Sequence, residues 1–423
     1  MTYEQAVNWL EEALRFGPGI KPGLERIEAL CECLGHPERA FRSTLVAGTN
    51  GKGTVTATLS ALLSSLGHKT AAYFSPHLVS YCERYRIEGI DVTPEDFASV
   101  IAEVASVAPS MEEPPTPFEA LTCAAFLLFQ AKGVEEAVLE IGMGGKGDAT
   151  NIVSPALSVI THIALDHSEW LGESLEAIAL EKAGIMRAGV PIILGQSAEE
   201  AQLALLGAAS QLGAQVSEAG KDFTFGQVEL SEAGTSFDYA SEGLEGRFTT
   251  PLIGLAQAHN SALALQAAEL LAGPFASEQA QAGLDQVRLP ARFEIRKLGR
   301  KTIILDVGHN PDAIATFIST WRAVFGKQRC ALVFGVMKDK DWHEALRQLA
   351  SISHTLYACQ AGGTRPASSG ELAPFASEAG FETVLDSGSV EQAVAAALAD
   401  EARLVAIVGS HYVVGEALQA GLG

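Results

Sequence analysis

Apolar positions along the chain follow two rhythms. Thr44–Ala47, Thr70–Phe74, Ala137–Ile141, Ala156–Ala164 and Val190–Leu194 are short apolar runs of the kind that form buried strands. Between them, apolar residues recur three or four positions apart. Val55, Leu59, Leu62, Leu63 and Leu66 make one helical stripe, with Gly67 where a C-terminal cap belongs. Phe118–Gln130 follows a Pro-rich loop (108–117) as a mostly apolar helix, and Leu175–Arg187 predicts another. Asp91-Val-Thr-Pro-Glu-Asp96 has a helix-start signature, with Thr93 as cap, Pro94 in the first turn and Asp96 three residues on. Glu83–Gly89 reads as a strand entering a turn. Upstream, Tyr3–Phe16 and Gly23–Leu34 predict amphipathic helices joined by Gly17–Gly23, which reads equally as a lid or a plain connector.

The rhythm changes after residue 220. Phe223–Thr250 alternates and is broken by glycine, predicting an antiparallel ribbon, and Asn260–Leu271 predicts a helix. The pattern resets around Gln286–Lys297. Strands are then expected at Thr302–Val307, Ala331–Val336, Thr355–Cys359, Glu382–Leu385 and Leu404–Val408, with helices between. Strands alternating with helices imply an α/β protein: a mostly parallel, doubly wound sheet with a small ribbon, then a second α/β domain. We place the boundary near 296, giving 1–295 and 296–423. No repeat of 20–50 residues and no low-complexity tract interrupts the pattern.

The first strand runs into Gly48-Thr-Asn-Gly-Lys-Gly-Thr54, and a helix starts directly after it. Strand, glycine loop with lysine, and helix N-terminus together hold phosphates: loop amides point inward, the helix dipole adds partial positive charge, and lysine adds a full one. The spacing departs from the usual P-loop, because only Thr49 and Asn50 separate Gly48 from Gly51-Lys52, and Gly53 separates Lys52 from Thr54. Which hydroxyl would meet a metal is therefore open. Ligands of doubly wound sheets sit beyond the carboxyl ends of the strands. Gly48–Thr54, Ser75, Glu140 onward and Asp166/His167 all fall there, so four distant segments converge on one crevice.

Composition narrows the classes. With 423 residues, 48% hydrophobic and 19% charged, the chain has ample length for a large core and is globular. No apolar run reaches the ~18 residues that would span a bilayer. The start, Met1-Thr-Tyr-Glu-Gln, lacks a basic region followed by an apolar core, so a cytoplasmic protein is expected. The formal charge of −22 argues against a nucleic-acid partner. It also means that any anionic substrate must be held by local cations against the overall field. Cys31-Glu-Cys33 is the only close cysteine pair and lacks a second pair for zinc; buried reduced thiols are expected.

Taken together, Gly48–Thr54, Ser75-Pro-His-Leu78, Glu140-Ile-Gly-Met-Gly-Gly145, Asp148-Ala-Thr-Asn151, Leu165-Asp-His167, Glu181-Lys-Ala-Gly184 and Asp306-Val-Gly-His-Asn-Pro311 resemble the folylpolyglutamate synthase/dihydrofolate synthase family, part of the Mur-ligase-like ATP-dependent amide ligases. The likeness runs from about residue 20 to about 415, with the motifs in family order. It implies a P-loop domain followed by a Rossmann-like ligase domain, and ATP with two Mg²⁺ ions as the requirements. The implied reaction joins L-glutamate to dihydropteroate, and to tetrahydrofolate and its polyglutamates, through an acyl phosphate. The segments Ser75–Leu78 and Glu83–Arg86 look like the bifunctional bacterial type, and monomer is the family's habit.

The roles implied by that resemblance are these. Gly51, Lys52, Gly53 and Thr54 bind ATP phosphates, Arg292 of Pro290-Ala-Arg292 joins them, Asn260 of Gln257-Ala-His-Asn260 lies near adenine, and Asp306 and His309 complete the site from the second domain. Ser75, Glu140 and His167 match the family's metal ligands, and Lys182 matches a lysine carbamate that holds a second ion. Thr116, Pro117, Phe118 and Glu119, with Gly147, Asp148 and Ala149, match pterin-binding segments. Ala256 stands where the family usually has an aromatic residue or His and takes no role. Read without the family, Lys182 would be a surface helix lysine, Phe118 plain core and His167 a hydrogen-bonded loop residue. No residue for glutamate is legible; Arg365 and His411 are candidates that read as readily as solvated side chains. A cell-wall ligase of the same group would need a uridine-nucleotide domain, for which the forty or so residues before the loop are too few. A nucleotide switch would not require Glu140, His167, Lys182 and Asp306 together.

Overall fold

The computed structural model describes residues 1–16, 23–363 and 365–422. Most of Gly17–Gly23, expected as lid or connector, therefore lies outside the described residues. The first lobe is built on an eight-stranded sheet: β1 (Arg42–Ala47), β2 (Thr70–Tyr73), β3 (Tyr85–Ile87), β4 (Ile90–Asp91), β5 (Glu136–Glu140), β6 (Leu157–Ile160), β7 (Ile192–Leu194) and β8 (Val216–Glu218). Their spatial order is β4-β3-β2-β5-β1-β6-β7-β8. Strands β2 to β8 in that row pair in parallel, and at one edge the β2/β3 and β3/β4 pairs are antiparallel. Helices cover both faces, which is why β2, β5 and β6 are buried along their whole length.

The helix after the glycine loop, Lys52–Ser65, is buried on nearly every side rather than along one stripe. It lies between the sheet and the helices Leu255–Ala272 and Ser277–Asp285, and a methyl group on Gly283 would come within 2.9 Å of the Leu62 Cα. Gly67 takes a φ of +95°, and the His68 amide reaches back to Leu63 O at 3.1 Å, the expected C-terminal cap. The ribbon is a three-stranded antiparallel sheet, β9 (Thr224–Ser231), β10 (Gly234–Ala240) and β11 (Glu245–Thr250), on the first lobe.

The second lobe carries β12 (Glu294–Leu298), β13 (Lys301–Asp306), β14 (Cys330–Phe334), β15 (Ser353–Gln360), β16 (Thr383–Ser389) and β17 (Leu404–Val408), in the order β12-β13-β17-β14-β15-β16. Strand β12 is antiparallel to β13 and was not anticipated: it is a half-exposed edge strand, so its residues lack an apolar run. Strands β4 and β8 and the helices Glu199–Leu212 and Ser277–Asp285 are likewise absent from the sequence reading, and the remaining differences are at element ends. Pro117 opens its helix instead of closing a loop, because Thr116 and Glu119 form a capping box; the helix expected to reach Arg187 stops at Ala183; and that expected from Asn260 begins at Leu255. All six cysteines are free and five are buried, but Cys33 is exposed, contrary to expectation. Among the described residues no helix is long and apolar enough to cross a membrane.

Candidate active site between the lobes

The glycine loop leaves the carboxyl end of β1 at the centre of the sheet. Gly51 sits before the helix at φ +90°, where a Cβ would lie 2.4 Å from the Asn260 Oδ1, so the loop and Asn260 are in direct contact. Lys52 Nζ donates to Gly48 O and Thr49 O, both at 3.1 Å, and so curls over its own loop. Thr54 is buried in the first turn. Beside this loop, Glu140 ends β5. A Cβ on Gly53 would lie 3.4 Å from its Oε2, and the same oxygen accepts the Ser75 amide at 3.2 Å. Burial raises the Glu140 carboxyl, opposed by Lys52. Ser75 Oγ is buried with no hydrogen-bond partner.

Lys182 is 5% exposed near the end of its helix. Two glycines make that burial possible. A Cβ on Gly145 would meet Glu181 O at 2.7 Å and the Lys182 Cα at 3.0 Å, and one on Gly184 would meet Lys146 N at 2.7 Å. The loop after β5 thus lies backbone-to-backbone on the helix. Burial, then the charge of Lys52, brings the Lys182 ammonium down to about 7. His167 stands at φ +53°, and burial lowers it to about 4, so it is neutral at ordinary pH.

The second lobe closes the crevice. Asp306, at the end of β13, accepts the Phe293 amide at 2.8 Å and the Gly308 amide at 2.7 Å. Arg292 lies between Ala291 at φ +57° and Phe293 at φ +49°, both in the left-handed region, and its guanidinium comes within 3.7 Å of a Cβ placed on Gly53. Asp166 of the first lobe receives Lys340 Nζ at 2.6 Å and Asn310 Nδ2 at 3.2 Å, and pairs with His309 Nε2 at 3.5 Å. Burial opposes it, yet His309 and Lys340 hold the Asp166 carboxyl far below the usual carboxylate range. Lys340 Nζ is also 3.2 Å from His167 Nε2. In the glycine loop, the Asn50 amide donates to Asp312 Oδ2 at 2.8 Å and exchanges hydrogen bonds with Asn310 at 3.1 and 3.3 Å. A cleft between the lobes is lined by Gly53, Ser75, Glu140, Arg86, Arg292 and His411.

Of the segments matched to a pterin, Thr116, Pro117 and Phe118 open the helix Pro117–Ala131. The Phe118 ring is half-buried, would lie 2.5 Å from a Cβ on Gly142, and packs 6.2 Å from Tyr73. Glu119 is occupied structurally: it caps the Thr116 amide at 2.7 Å and takes a two-pronged bond from Arg26 at 2.8 and 3.2 Å. Asp148 is buried and caps the turn at Ala149–Ile152; it accepts Thr150 Oγ1 at 2.6 Å and the Met143 amide at 2.9 Å. Gly147 precedes it in the same loop.

Comparison with known proteins identifies the family of these two lobes. Residues 46–268 match the family model described as "Mur ligase middle domain", and residues 291–411 match "Mur ligase, glutamate ligase domain". The Bacillus subtilis protein named "Dihydrofolate synthase/folylpolyglutamate synthase" is 32% identical over 365 residues, covering 84% of each chain. The chain belongs to the dihydrofolate synthase/folylpolyglutamate synthase family of Mur ligases. Among solved members of this family, the Mycobacterium tuberculosis folylpolyglutamate synthase complexed with ADP and AMPPCP superposes with a TM-score of 0.91 at 29% identity, covering 100% of this chain and 99% of that one. The Yersinia pestis bifunctional enzyme complexed with AMPPNP and a Mn ion gives 0.86 at 32% identity, covering 99% and 98%.

The Yersinia pestis relative was solved with a Mn ion as well as AMPPNP, and the residues present here fit a divalent metal. Mg²⁺ takes oxygen ligands, commonly one or two carboxylates with phosphates and waters completing an octahedron. The unpartnered, buried Ser75 Oγ beside the Glu140 carboxylate and the phosphate loop is such a partial donor set. Among the described residues there is no preformed group of three His, Cys, Asp or Glu. The site therefore suits an ion shared with phosphates, not a protein-only cage.

Of the two glutamate candidates, Arg365 is exposed, whereas His411 is half-buried against the interlobe cleft. Lys340, Asn50, Asn310 and Asp312 carry the interlobe contact without having been assigned a role from sequence. Asn50 and Asn310 lay inside recognised motifs; Lys340 offered only its place after a strand of the second lobe.

Proposed function

We propose that this protein is an ATP-dependent ligase of the bifunctional type, joining L-glutamate to dihydropteroate and to tetrahydrofolate or its glutamylated forms. The observation that carries the reading is the convergence of Lys52, Glu140, Ser75 and buried Lys182 from one lobe, Arg292 from the junction, and Asp306 and His309 from the other lobe, around the end of β1. An amide forms from a carboxylate only after activation. In the proposed sequence, a substrate carboxylate oxygen attacks the γ-phosphorus, the bond to ADP breaks, and the acyl phosphate is then displaced by the glutamate amine with loss of a proton and release of phosphate. Phosphoryl transfer needs positioning and positive charge more than covalent help. Lys52, the loop amides and Arg292 hold the phosphates. Ser75, Glu140 and His167 are proposed to hold one magnesium ion, and carbamylated Lys182 a second. When bound, these ions supply positive charge to the transferring phosphoryl group. Asn260, in contact with the loop at Gly51, is proposed to border the adenine.

Asp306 and His309 are held ready by the backbone and by Asp166, so that closing the lobes completes the nucleotide site. Phe118 is proposed to stack on the pterin, with Asp148 presenting its remaining acceptor capacity. Glu119 supports that segment as a helix cap. The cations gathered here offset the net charge of −22 where anions must meet. We place the lobe junction just ahead of Glu294, because β12 belongs to the second sheet. Action as a monomer in the cytoplasm completes the proposal, and sedimentation of the purified chain checks its first part.

The deciding experiment supplies ATP, Mg²⁺ and glutamate with either dihydropteroate or tetrahydrofolate and measures phosphate release. Release with both acceptors is expected. Release with one alone makes the enzyme monofunctional, and release with neither rejects the assignment.

A further inference from the structure

The loop between β2 and β3 is tied down far more heavily than a connector of its length requires. The Glu83 carboxylate accepts three successive amides, Leu78 at 2.7 Å, Val79 at 2.9 Å and Ser80 at 2.7 Å. Tyr3 Oη adds bonds to Ser80 Oγ at 3.0 Å and from the Tyr81 amide at 3.2 Å, while Arg84 Nε donates to His77 Nδ1 at 2.9 Å. Ser75, whose amide is on Glu140, begins this loop. Leu78, in its middle, is the point where the second lobe lands.

All three parts of Leu78 are committed there. Its amide is on Glu83, its side chain packs against the second-lobe core that contains Val413, Val414 and Ala417, and its carbonyl faces Gly415. Gly415 lies in the helix His411–Ala417, and a Cβ on it would stand 2.1 Å from Leu78 O and 3.0 Å from the carbonyl carbon. A real Cβ cannot occupy that place, so the lobes can meet this closely only because residue 415 has no side chain. One turn earlier, the same helix starts with His411, which lines the cleft together with Ser75, Glu140 and Arg292. A single contact thus lies three residues from Ser75 on one side and four residues from His411 on the other.

We propose that Glu83 and Gly415 are positioning residues: Glu83 stiffens the loop, Gly415 lets the second lobe seat on its Leu78 carbonyl, and together they hold Ser75 at the cation site. This rests on the reading of Ser75 as a metal-holding residue. The loop then reports lobe closure directly to the metal, without either residue touching substrate.

The test is calorimetric, on the full chain, with ADP titrated in the absence and presence of Mn²⁺. Supporting groups behind a metal ligand commonly change metal affinity by about tenfold to a hundredfold. Glu83→Ala and Gly415→Ala are each expected to weaken Mn²⁺-dependent ADP binding by about tenfold, with Glu83→Gln, which keeps one accepting oxygen, between them and the parent. Binding of ADP without divalent cation, made by the loop amides and Lys52, is expected to stay unchanged. A role in general stability alone would move both affinities together, and that result overturns the proposal, as does parental Mn²⁺ dependence in Glu83→Ala. If Gly415→Ala does not fold, the two Glu83 variants decide. A parent protein whose ADP binding ignores Mn²⁺ rejects the metal reading itself, and the proposal with it.

Discussion

Lys182 can take up carbon dioxide only as a free amine, and its surroundings prepare it for that. Its ammonium is brought down to about 7 by burial and by Lys52, so the neutral form prevails from neutral pH upward. In the unfolded chain the same group titrates near 10.4. Between about 7 and about 10.4 the folded state binds fewer protons than the unfolded one, so stability rises with pH there, at up to about 1.4 kcal/mol per unit. Lys182→Met should remove that slope, which denaturant midpoints across pH 7–10 will show. Lys182→Ala should lose most turnover, by about a hundredfold or more, and regain part of it with added short-chain carboxylates. Full activity in that variant would leave the carbamate without a role. His167, held near 4, stays neutral throughout this range and adds nothing to the slope.

At the scale of elements, the loop after β5 and the Lys182 helix meet through Gly145 and Gly184, with no side chain between their backbones. Gly145→Ala should therefore cost about 1–3 kcal/mol by overpacking, and should let water reach Lys182, returning its amine toward the ordinary range. Denaturation and a carbon-dioxide-dependence assay would show the two effects together; an unchanged protein would show that the packing is slack. This level also marks what the sequence could and could not display. Strand, glycine loop and helix over Thr44–Leu66 were legible because their signals are local. The capping box at Thr116 and Glu119 was legible in kind yet hidden behind the prolines beside it. Edge strand β12 was not, since a half-exposed strand needs no apolar run. The burial of Lys182 was invisible because it depends on two glycines 39 positions apart on different elements.

The whole molecule is two lobes joined in part by polar contacts that no local pattern announces. Lys340 and Asp166 are separated by 174 positions and meet at 2.6 Å with only 8% of each side chain exposed. Removing one member of a buried pair commonly costs about 3–5 kcal/mol, mostly through the charge left behind. Lys340→Met should accordingly shift the protein toward an open form, seen as a larger radius in small-angle scattering, and lower kcat/KM by about tenfold to a hundredfold. A parental radius and rate would mean that closure is held elsewhere. One carboxylate, Asp166, thus grips an amine, an amide and an imidazole that all come from the other half of the chain. A hybrid made by grafting the second half of a relative onto this first half would inherit a working grip only if lysine, asparagine and histidine arrived at matching places. Swapping halves between relatives is consequently a sharper trial of compatibility than overall identity between the donors.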